Sequence, residues 1–459
     1  MFRRVLIANR GEVAARVLRT CRRLGVEAVA VATDPDADLQ YLADADEVVR
    51  IGGKRAYLDG DALIAAAVAH RCSAVHPGWG FLSENPTFAA RCEASRLAFI
   101  GPRPLSMRQM ADKAVARATM KGLGLSPIPG TDGPVGSLDQ ARVEAEQIGY
   151  PVLIKAVSGG GGRGMRRVYS PDQLAGAWQE ASAEAASAFG DPRLYIEKLI
   201  ERGRHVELQV LGDGEGTVQV LGARECSVQR RHQKLVEEGP PPALTPEEYA
   251  RTAANAERAC AALGYRGAGT VEMLQDQDGR LWFMEMNTRL QVEHTVTEET
   301  TGLDLVEWQL RIAANQGLGG LDLSAAPGGH SLECRINAED PALDFRPQPG
   351  TIHHLVLPEV EGVRFDTHLR QGDRISPHYD SMFAKVISHG AGRQQAIDRM
   401  VEALQALEVQ GVPTTIPLHL AILRHADFRA GTYDTRWLEA HLDGLLRGDS
   451  SSQTSPGPS

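Results

Sequence analysis

The stretch Glu285-Met-Asn-Thr-Arg-Leu-Gln-Val-Glu-His294 decides how the centre of this chain folds. Its polar residues stand at every second position, at Glu285, Asn287, Arg289, Gln291 and Glu293. Because side chains alternate along an extended backbone, we predict a strand that turns these polar side chains to one face. The apolar residues between them, Met286, Leu290 and Val292, should face a core. A face that combines acids, an amide and a guanidinium is better suited to binding an anionic substrate than to contact with bulk solvent.

A hairpin precedes this stretch, because Asp278-Gly279 is a strong two-residue turn signal between two apolar segments. With these two residues as the turn, Gln277 pairs with Arg280, and Glu272 stands opposite Glu285. Two facing carboxylates repel each other, so one must be protonated or a cation must lie between them. A hard divalent cation such as Mg²⁺ fits this demand. This pair of carboxylates alone does not exclude the alternative, which is a solvent-exposed hairpin whose acids have no function.

Composition excludes several classes of protein. A chain of 459 residues has room for roughly three domains. The net charge of −10 argues against general nucleic-acid binding. No apolar run is long enough to span a bilayer, and the apolar part of the first ten residues is too short for a secretory signal. The six cysteines lack zinc or disulfide spacing. We therefore expect a cytoplasmic protein without a membrane partner.

The first hundred residues alternate between short apolar runs and helical patterns. Residues 5–8 and 26–32 read as buried strands, and residues 11–19 and 61–70 read as helices. This alternation predicts a parallel sheet covered by helices. The sequence after the first strand lacks GxGxxG, so we expect no bound NAD. The loop that begins at His76 should lie beyond the strand ends, where ligands gather. Residues 83–85 should cap the next helix.

A glycine-rich run marks the second region. Tyr150-Pro-Val-Leu-Ile-Lys155 reads as a strand, Ser158-Gly-Gly-Gly-Gly-Arg-Gly164 follows it, and residues 166–169 read as a returning strand. A glycine run alone is more often a flexible loop, but Lys155 directly before it favours a lid that binds phosphates. Glu197 and Lys198, on the next short strand, could line an adenine pocket or form a surface ion pair.

Two further segments place charge where folding alone does not require it. Gln229-Arg-Arg-His-Gln-Lys234 lies between predicted strands of an acidic protein, so a pocket for phosphate or another small anion is favoured over a nucleic-acid patch. Arg335 lies in the middle of a predicted strand, where a charge needs a partner or a ligand.

Taken together, six segments closely resemble biotin carboxylase of the ATP-grasp superfamily, over residues 2–446. They are Ile7-Ala-Asn-Arg-Gly-Glu12, His76-Pro-Gly-Trp-Gly-Phe-Leu-Ser-Glu-Asn85, Lys155 with the glycine run, Gln229 to Lys234, Glu285 to His294, and Glu333-Cys-Arg-Ile-Asn-Ala-Glu-Asp340. The resemblance implies a mixed α/β and α+β fold. An N-terminal parallel-sheet (Rossmann-like) domain is expected over residues 1–115, and an ATP-grasp lid over 116–202. The ATP-grasp core and a mixed, β-rich C-terminal domain should follow over 203–447, before a disordered tail over 448–459.

The resemblance also implies a reaction, in which ATP phosphorylates bicarbonate to carboxyphosphate, which then delivers CO₂ to a ureido nitrogen of biotin. The implied ATP site comprises Lys113, Lys155, Gly160, Gly161, Gly162, Glu197, Lys198, Ile200, His205, Gln229, His232, Gln233 and Glu272. The implied ligands of Mg²⁺ or Mn²⁺ are Glu272, Glu285 and Asn287. The implied bicarbonate site comprises Lys234, Arg289, Gln291 and the backbone of Val292.

The remaining implied roles concern the base and biotin. Glu293 would deprotonate bicarbonate, and two neighbouring cations should keep it ionised. Arg335 would stabilise an enolate-like biotin anion. Trp79 and Asp380 would border the biotin ring. The family usually has tyrosine where this chain has Trp79, and tryptophan keeps the stacking surface but lacks the hydroxyl.

The expected partners follow from the same resemblance. Related multifunctional carboxylases carry a Met-Lys-Met biotinyl site, whereas the single Met-Lys here is followed by Gly122. We therefore expect a separate biotin carboxyl carrier protein and carboxyltransferase subunits, an acetyl-CoA carboxylase for fatty acid synthesis, and a homodimer. The alternatives are the same subunit of another acyl-CoA or pyruvate carboxylase, a different ATP-grasp ligase, and a non-catalytic ATP-binding module.

Overall fold

The computed structural model describes residues 1–158, 164–324 and 326–448. The glycine run with Gly160, Gly161 and Gly162, and the tail beyond Gly448, therefore lie outside the described residues. Among the helices of these ranges, none has the length and apolarity that a membrane crossing requires.

The N-terminal region forms a parallel sheet of five strands in the order β3-β2-β1-β4-β5, as the sequence predicts. The strands are β1 (Arg4–Ile7), β2 (Glu27–Thr33), β3 (Glu47–Gly52), β4 (Ala74–His76) and β5 (Ala98–Phe99). The helices are α1 (Gly11–Arg23), α2 (Gly60–Ala69), α3 (Pro86–Ala94) and α4 (Pro104–Ala111). Of the three residues predicted to cap α3, Asn85 does so, because its side chain accepts hydrogen bonds from the Thr87 and Phe88 amides.

The next region is a small antiparallel sheet in the order β7-β6-β8, with its own hydrophobic core. The strands are β6 (Val152–Ala156), β7 (Met165–Val168) and β8 (Leu194–Lys198). The helices before and within this region are α5 (Lys113–Gly122), α6 (Leu138–Ile148) and α7 (Pro171–Phe189). Because β6 and β7 pair directly on either side of the glycine run, the predicted strand–loop–strand arrangement is confirmed.

An antiparallel sheet of eight strands, in the order β13-β12-β9-β10-β11-β14-β19-β18, forms the centre of the molecule. The strands are β9 (Arg204–Asp213), β10 (Val218–Arg230), β11 (Gln233–Gly239), β12 (Arg266–Gln275), β13 (Leu281–Asn287), β14 (His330–Asn337), β18 (Val363–Thr367) and β19 (Met382–Gly390). The helices packed around it are α8 (Pro246–Ala262), α9 (His294–Thr301), α10 (Leu305–Ala313) and α11 (Arg393–Ala406).

Two small strand pairs and three helices complete the C-terminal region. The pairs are β15 (Glu339–Asp340) with β16 (Arg346–Pro347) and β17 (His354–Val356) with β20 (Glu408–Gln410). The helices are α12 (Ile416–Arg424), α13 (Ala426–Ala430) and α14 (Trp437–Arg447). Because β11 pairs with β14, the strands that carry Lys234 and Arg335 are neighbours in the central sheet.

The β12–β13 hairpin contains the predicted pair of Glu272 and Glu285, but its turn differs from the predicted one. The Asp276 amide donates to the Arg280 carbonyl at 3.0 Å, so the turn holds three residues rather than the predicted two. A bulge at Met284 then shifts the register by one residue and places Glu272 opposite Glu285. The predicted turn was wrong and the predicted pair is correct, because the longer turn and the bulge compensate each other.

The predicted strand over the whole of residues 285–293 is wrong in its second half. β13 ends at Asn287, and α9 begins at His294. The Thr288 amide, which could have continued the ladder, donates instead to the Glu84 carboxylate at 2.9 Å. Arg289, Gln291 and Glu293 therefore project from a loop that is held by side chains, and not from a strand.

Candidate active site

A cavity of about 660 Å³ lies between the small sheet, the central sheet and the loop over residues 288–293. All of the predicted site residues that the structure describes line it. They are Trp79, Lys113, Lys155, Glu197, Lys198, Ile200, His205, Gln229, His232, Gln233, Lys234, Glu272, Glu285, Asn287, Arg289, Gln291, Val292, Glu293, Arg335 and Asp380. Residues from widely separated parts of the sequence thus meet in one cleft.

Lys234 lies at the centre of the charged part of this cleft. Its Nζ atom is 2.7 Å from Glu207, 3.3 Å from Glu272 and 2.5 Å from Glu293. Burial alone would lower the pKa of Lys234, but the surrounding carboxylates raise it well above its ordinary value. Lys234 is therefore a fixed positive charge that joins three acids.

Glu293 is held between two cations. Its Oε1 atom accepts from Lys234, and its Oε2 atom accepts from Arg335 Nη2 at 3.0 Å. Burial would raise the pKa of Glu293, but Lys234 and Arg335 hold it well below its ordinary range, which agrees with the predicted ionised carboxylate. Arg335 is held in turn by Glu237, to which its Nε atom donates at 2.6 Å.

The facing carboxylates Glu272 and Glu285 meet protein cations rather than each other. Glu285 lies 3.5 Å from Lys113, and Glu272 accepts from Asn287 Nδ2 at 2.8 Å and lies 3.2 Å from His205 Nε2. Burial would raise the pKa of Glu272, but Lys234 and His205 lower it well below its ordinary value. Two carboxylates and an amide on one face of a hairpin supply the hard oxygen ligands that Mg²⁺ prefers, so this set fits a divalent cation.

Strands β6 and β8 of the small sheet also contribute to the lining of the cleft. Glu197 is buried and forms ion pairs with Lys155 and with Arg117, the latter at 3.2 Å. Lys198 donates to the carbonyls of Gly149 and Tyr150, at 2.9 and 3.0 Å. The alternative of a surface ion pair between Glu197 and Lys198 is therefore wrong, because each of the two side chains has different partners.

The structure adds residues that sequence reasoning missed. Glu84, predicted only as part of a helix cap, accepts from Arg289 Nε at 2.8 Å. Arg224 is fully buried in β10, and its guanidinium donates to Glu207 at 2.7 Å and to Gln291 at 3.3 Å. A charge in the middle of a predicted strand was the signal that identified Arg335, whereas no strand was predicted around Arg224, which lies in the longer β10.

Trp79 and Asp380 line the same cleft as Arg335. The Trp79 carbonyl accepts from Asn9 at 2.8 Å, which ties the loop after β4 to the end of β1. Asp380 accepts the Met382 amide at 2.8 Å, and this bond fixes the entry into β19. Hydrogen bonds therefore hold both residues in the lining of the cleft.

Comparison with known proteins gives a consistent result. The family models described as biotin carboxylase N-terminal domain, carbamoyl-phosphate synthase L chain ATP-binding domain and biotin carboxylase C-terminal domain match residues 1–107, 112–321 and 333–440. A biotin carboxylase of Pseudomonas aeruginosa is 46% identical over 96% of this chain and 99% of its own length. A pyruvate carboxylase subunit of Methanothermobacter thermautotrophicus is 46% identical over 97% of this chain and 91% of its own length.

Solved structures agree with these relatives. The biotin carboxylase domain dimer of the Hydrogenobacter thermophilus 2-oxoglutarate carboxylase, in complex with MgADP, ADP and bicarbonate, superposes with a TM-score of 0.92. That domain is 44% identical, and the match covers 97% of this chain and 99% of that chain. The similarity thus extends over all the segments that line the cleft.

Proposed function

The chain belongs to the biotin carboxylase family of ATP-grasp ligases, and we propose that it carboxylates biotin on a separate carrier protein, using ATP and bicarbonate. The observation that carries this proposal is the position of Glu293 between Lys234 and Arg335, in the same cleft that Lys155 and Glu197 line. A carboxylate base between two fixed cations suits a reaction that first deprotonates bound bicarbonate and then stabilises a developing biotin anion.

At the nucleotide end, Lys113 and Lys155 supply positive charge for the phosphates of ATP, and β8 supplies the wall of the adenine pocket. Glu272, Glu285 and Asn287 would hold Mg²⁺, which supplies positive charge beside the γ-phosphate when it is bound. Lys113 is already paired with Glu285 at 3.5 Å. The binding of nucleotide should therefore exchange this ion pair for contacts with phosphate.

At the bicarbonate end, Arg289, Gln291, Lys234 and the Val292 backbone would position the anion beside Glu293. The pKa of Glu293 lies well below its ordinary range because of Lys234 and Arg335. A bound anion offsets part of that positive charge and raises the pKa toward the range in which a carboxylate accepts protons. Glu293 then takes the bicarbonate proton, a bicarbonate oxygen bonds to the γ-phosphorus, and ADP leaves.

At the biotin end, carboxyphosphate breaks into CO₂ and phosphate, the released phosphate takes the proton of the ureido nitrogen of biotin, and that nitrogen forms the new bond to CO₂. Arg335 is the fixed positive charge beside which the enolate-like ureido anion would develop. Trp79 would offer an apolar face to the ring, and Asp380 would border it. Because Arg335 also contacts Glu293 at 3.0 Å, the two halves of the reaction share one guanidinium.

The partners follow from this assignment. We propose an acetyl-CoA carboxylase with a biotinylated carrier and carboxyltransferase subunits, for fatty acid synthesis, and a homodimer like that of the H. thermophilus domain. A pyruvate or 2-oxo acid carboxylase is the second candidate, because relatives with these names are 46% and 44% identical. All six cysteines are free and buried, which is typical of a reducing compartment such as the cytoplasm.

The proposal is tested by measuring ATP cleavage with purified protein. We expect ADP formation to require bicarbonate and to accelerate when free biotin is added, since biotin consumes the CO₂ that carboxyphosphate releases. Isolation of the protein from its own cells should also recover a biotinylated carrier together with carboxyltransferase subunits. An ATP cleavage rate that responds to neither bicarbonate nor biotin would contradict the assignment.

Glu84→Gln should weaken the binding of bicarbonate, although Glu84 is not one of the proposed bicarbonate ligands. Glutamine removes the negative charge that holds Arg289 Nε at 2.8 Å and the Thr288 amide at 2.9 Å. We expect the KM for bicarbonate to rise about 5- to 10-fold, the size of effect that loss of one ordinary hydrogen bond produces. Glu215→Gln, which breaks the exposed pair with Arg103, is the matched control, and an equal KM in both variants would exclude this role of Glu84.

A further inference from the structure

Lys385 is a fully buried cation on β19 that none of the predicted roles uses. Its Nζ atom donates to the Val292 carbonyl at 2.8 Å. It also lies 3.3 Å from Glu12 on α1 and 3.9 Å from Glu333 on β14. A single ammonium group thus connects the N-terminal sheet region and the C-terminal strands to the loop that carries Glu293. Burial of a lysine at this depth is costly unless its charge has partners, and the two glutamates supply them.

The carbonyl that Lys385 binds belongs to a peptide unit inside the proposed bicarbonate site. In a trans peptide the carbonyl and the amide N–H point in opposite directions. Since the Val292 carbonyl points at Lys385, the Glu293 amide points away from it, toward the side where Val292 and Glu293 line the cleft.

The preceding peptide unit is oriented in the same way. The Gln291 carbonyl contacts His294 Nδ1 at 2.7 Å, and His294 is completely buried. Burial lowers the pKa of His294 to about 3, so its neutral ring donates this hydrogen bond through Nδ1. The Val292 amide therefore also faces away from the core. Two successive carbonyls are thus bound by buried donors, so the two successive amides point away from those donors, an orientation that suits an anion in the cleft that Val292 and Glu293 line.

We infer that Lys385 is a positioning residue for bicarbonate, which acts by fixing the peptide unit between Val292 and Glu293 so that the backbone amides and the Glu293 carboxylate face the anion. This inference rests on the proposed function and extends it to a residue outside the cleft. Lys385 acts through Val292 and does not line the cavity with the predicted site residues.

The neighbours of Lys385 show why a cation fills this role. Thr295, in the first turn of α9, donates its hydroxyl to Glu333, so Glu333 holds the loop from its other side. A neutral donor at position 385 would remove a positive charge that lies 3.3 Å from Glu12 and 3.9 Å from Glu333. Lys385 therefore links the orientation of the Val292 peptide to the packing of α1 and β14.

The test compares three variants by their KM for bicarbonate, their KM for MgATP and their melting temperature. Lys385→Met keeps the length of the side chain but removes the donor and the charge. Glu12→Gln keeps the donor and removes one acid. The double variant K385M/E12Q removes the donor and relieves the unpaired charge of Glu12, while Glu333, whose pKa burial raises to about 8, can remain protonated.

We expect Lys385→Met to raise the KM for bicarbonate at least 10-fold and to change the KM for MgATP less than twofold. Glu12→Gln should leave both values within twofold of wild type. The double variant should regain much of the melting temperature that Lys385→Met loses, yet keep the raised KM for bicarbonate, because the Val292 carbonyl still lacks its donor.

Two results would overturn the inference. One is a normal KM for bicarbonate in the double variant, which would show that Lys385 contributes stability alone. The other is an equal rise of both KM values in Lys385→Met, which would show a general loss of structure. Wild-type protein that cleaves ATP without bicarbonate would instead overturn the proposed function, so the two failures are distinguishable.

Discussion

Glu293→Gln is expected to lower the rate of bicarbonate-dependent ATP cleavage about 1,000-fold, within the range that loss of a general base produces. Glutamine keeps the volume of the side chain and can still accept a hydrogen bond from Lys234 or Arg335, which contact the carboxylate at 2.5 and 3.0 Å. It cannot accept the bicarbonate proton. The measurement is ADP release at saturating bicarbonate, with nucleotide binding followed separately.

The affinity for MgADP should change less than twofold, because Glu293 pairs with Lys234 and Arg335, whereas Lys113 and Lys155 pair with other acids. Glu299→Gln, one turn into α9, is a suitable control because it removes a partly exposed acid that pairs with Arg364, outside the cleft. A Glu293→Gln protein that retains a tenth or more of the wild-type rate would exclude this carboxylate as the base.

Arg335→Ala is expected to separate the two half-reactions. Carboxylation of free biotin should fall 100- to 1,000-fold, the loss typical of removing one donor that stabilises a developing anion. ATP cleavage with bicarbonate should fall less than 10-fold, because Lys234 still contacts Glu293 at 2.5 Å. Carboxybiotin and ADP are measured in the same reaction, and their ratio reports the separation.

Arg335→Ala also leaves Glu237 buried without its cation, so stability needs its own control. Burial already raises the pKa of Glu237 to about 7 despite the nearby Arg335, and the E237Q/R335A double variant removes the unpaired acid. We expect the double variant to melt at a higher temperature than Arg335→Ala and to show the same loss of biotin carboxylation. If both half-reactions fell equally in both variants, Arg335 would serve the whole site and not biotin alone.

The turn signal at Asp278-Gly279 was enough to predict the pairing of Glu272 with Glu285, although the prediction did not include the bulge on which this pairing depends. The count from Asp278 assumed a regular ladder, and only the bulge at Met284 restores the register after a longer turn. A bulge depends on side-chain packing and twist on both strands, and a two-residue turn signal carries no information about it. The alternation of polar residues over 285–293 likewise predicted which side chains line the cleft together. It did not predict that β13 ends at Asn287.

Residues that act through long-range contacts could not be predicted in this way. Glu84 and Arg289 are 205 positions apart, and Lys385 and Val292 are 93 apart. Each contact depends on how a helix or strand of one region packs against the loop of another. Arg224 belongs to the same group, because it stands beside Glu225 in a strand of mixed polarity, and only the fold makes it fully buried.

The central claim is that a bicarbonate oxygen bonds to the γ-phosphorus of ATP in this cleft. It is tested most directly with ¹⁸O-labelled bicarbonate, wild-type protein, MgATP and free biotin, by mass spectrometry of the phosphate released. Carboxyphosphate keeps the bridging oxygen with phosphorus when CO₂ leaves, so we predict one ¹⁸O atom in each phosphate formed. Phosphate without ¹⁸O, formed at the same rate, would show that water attacks ATP and would contradict the mechanism.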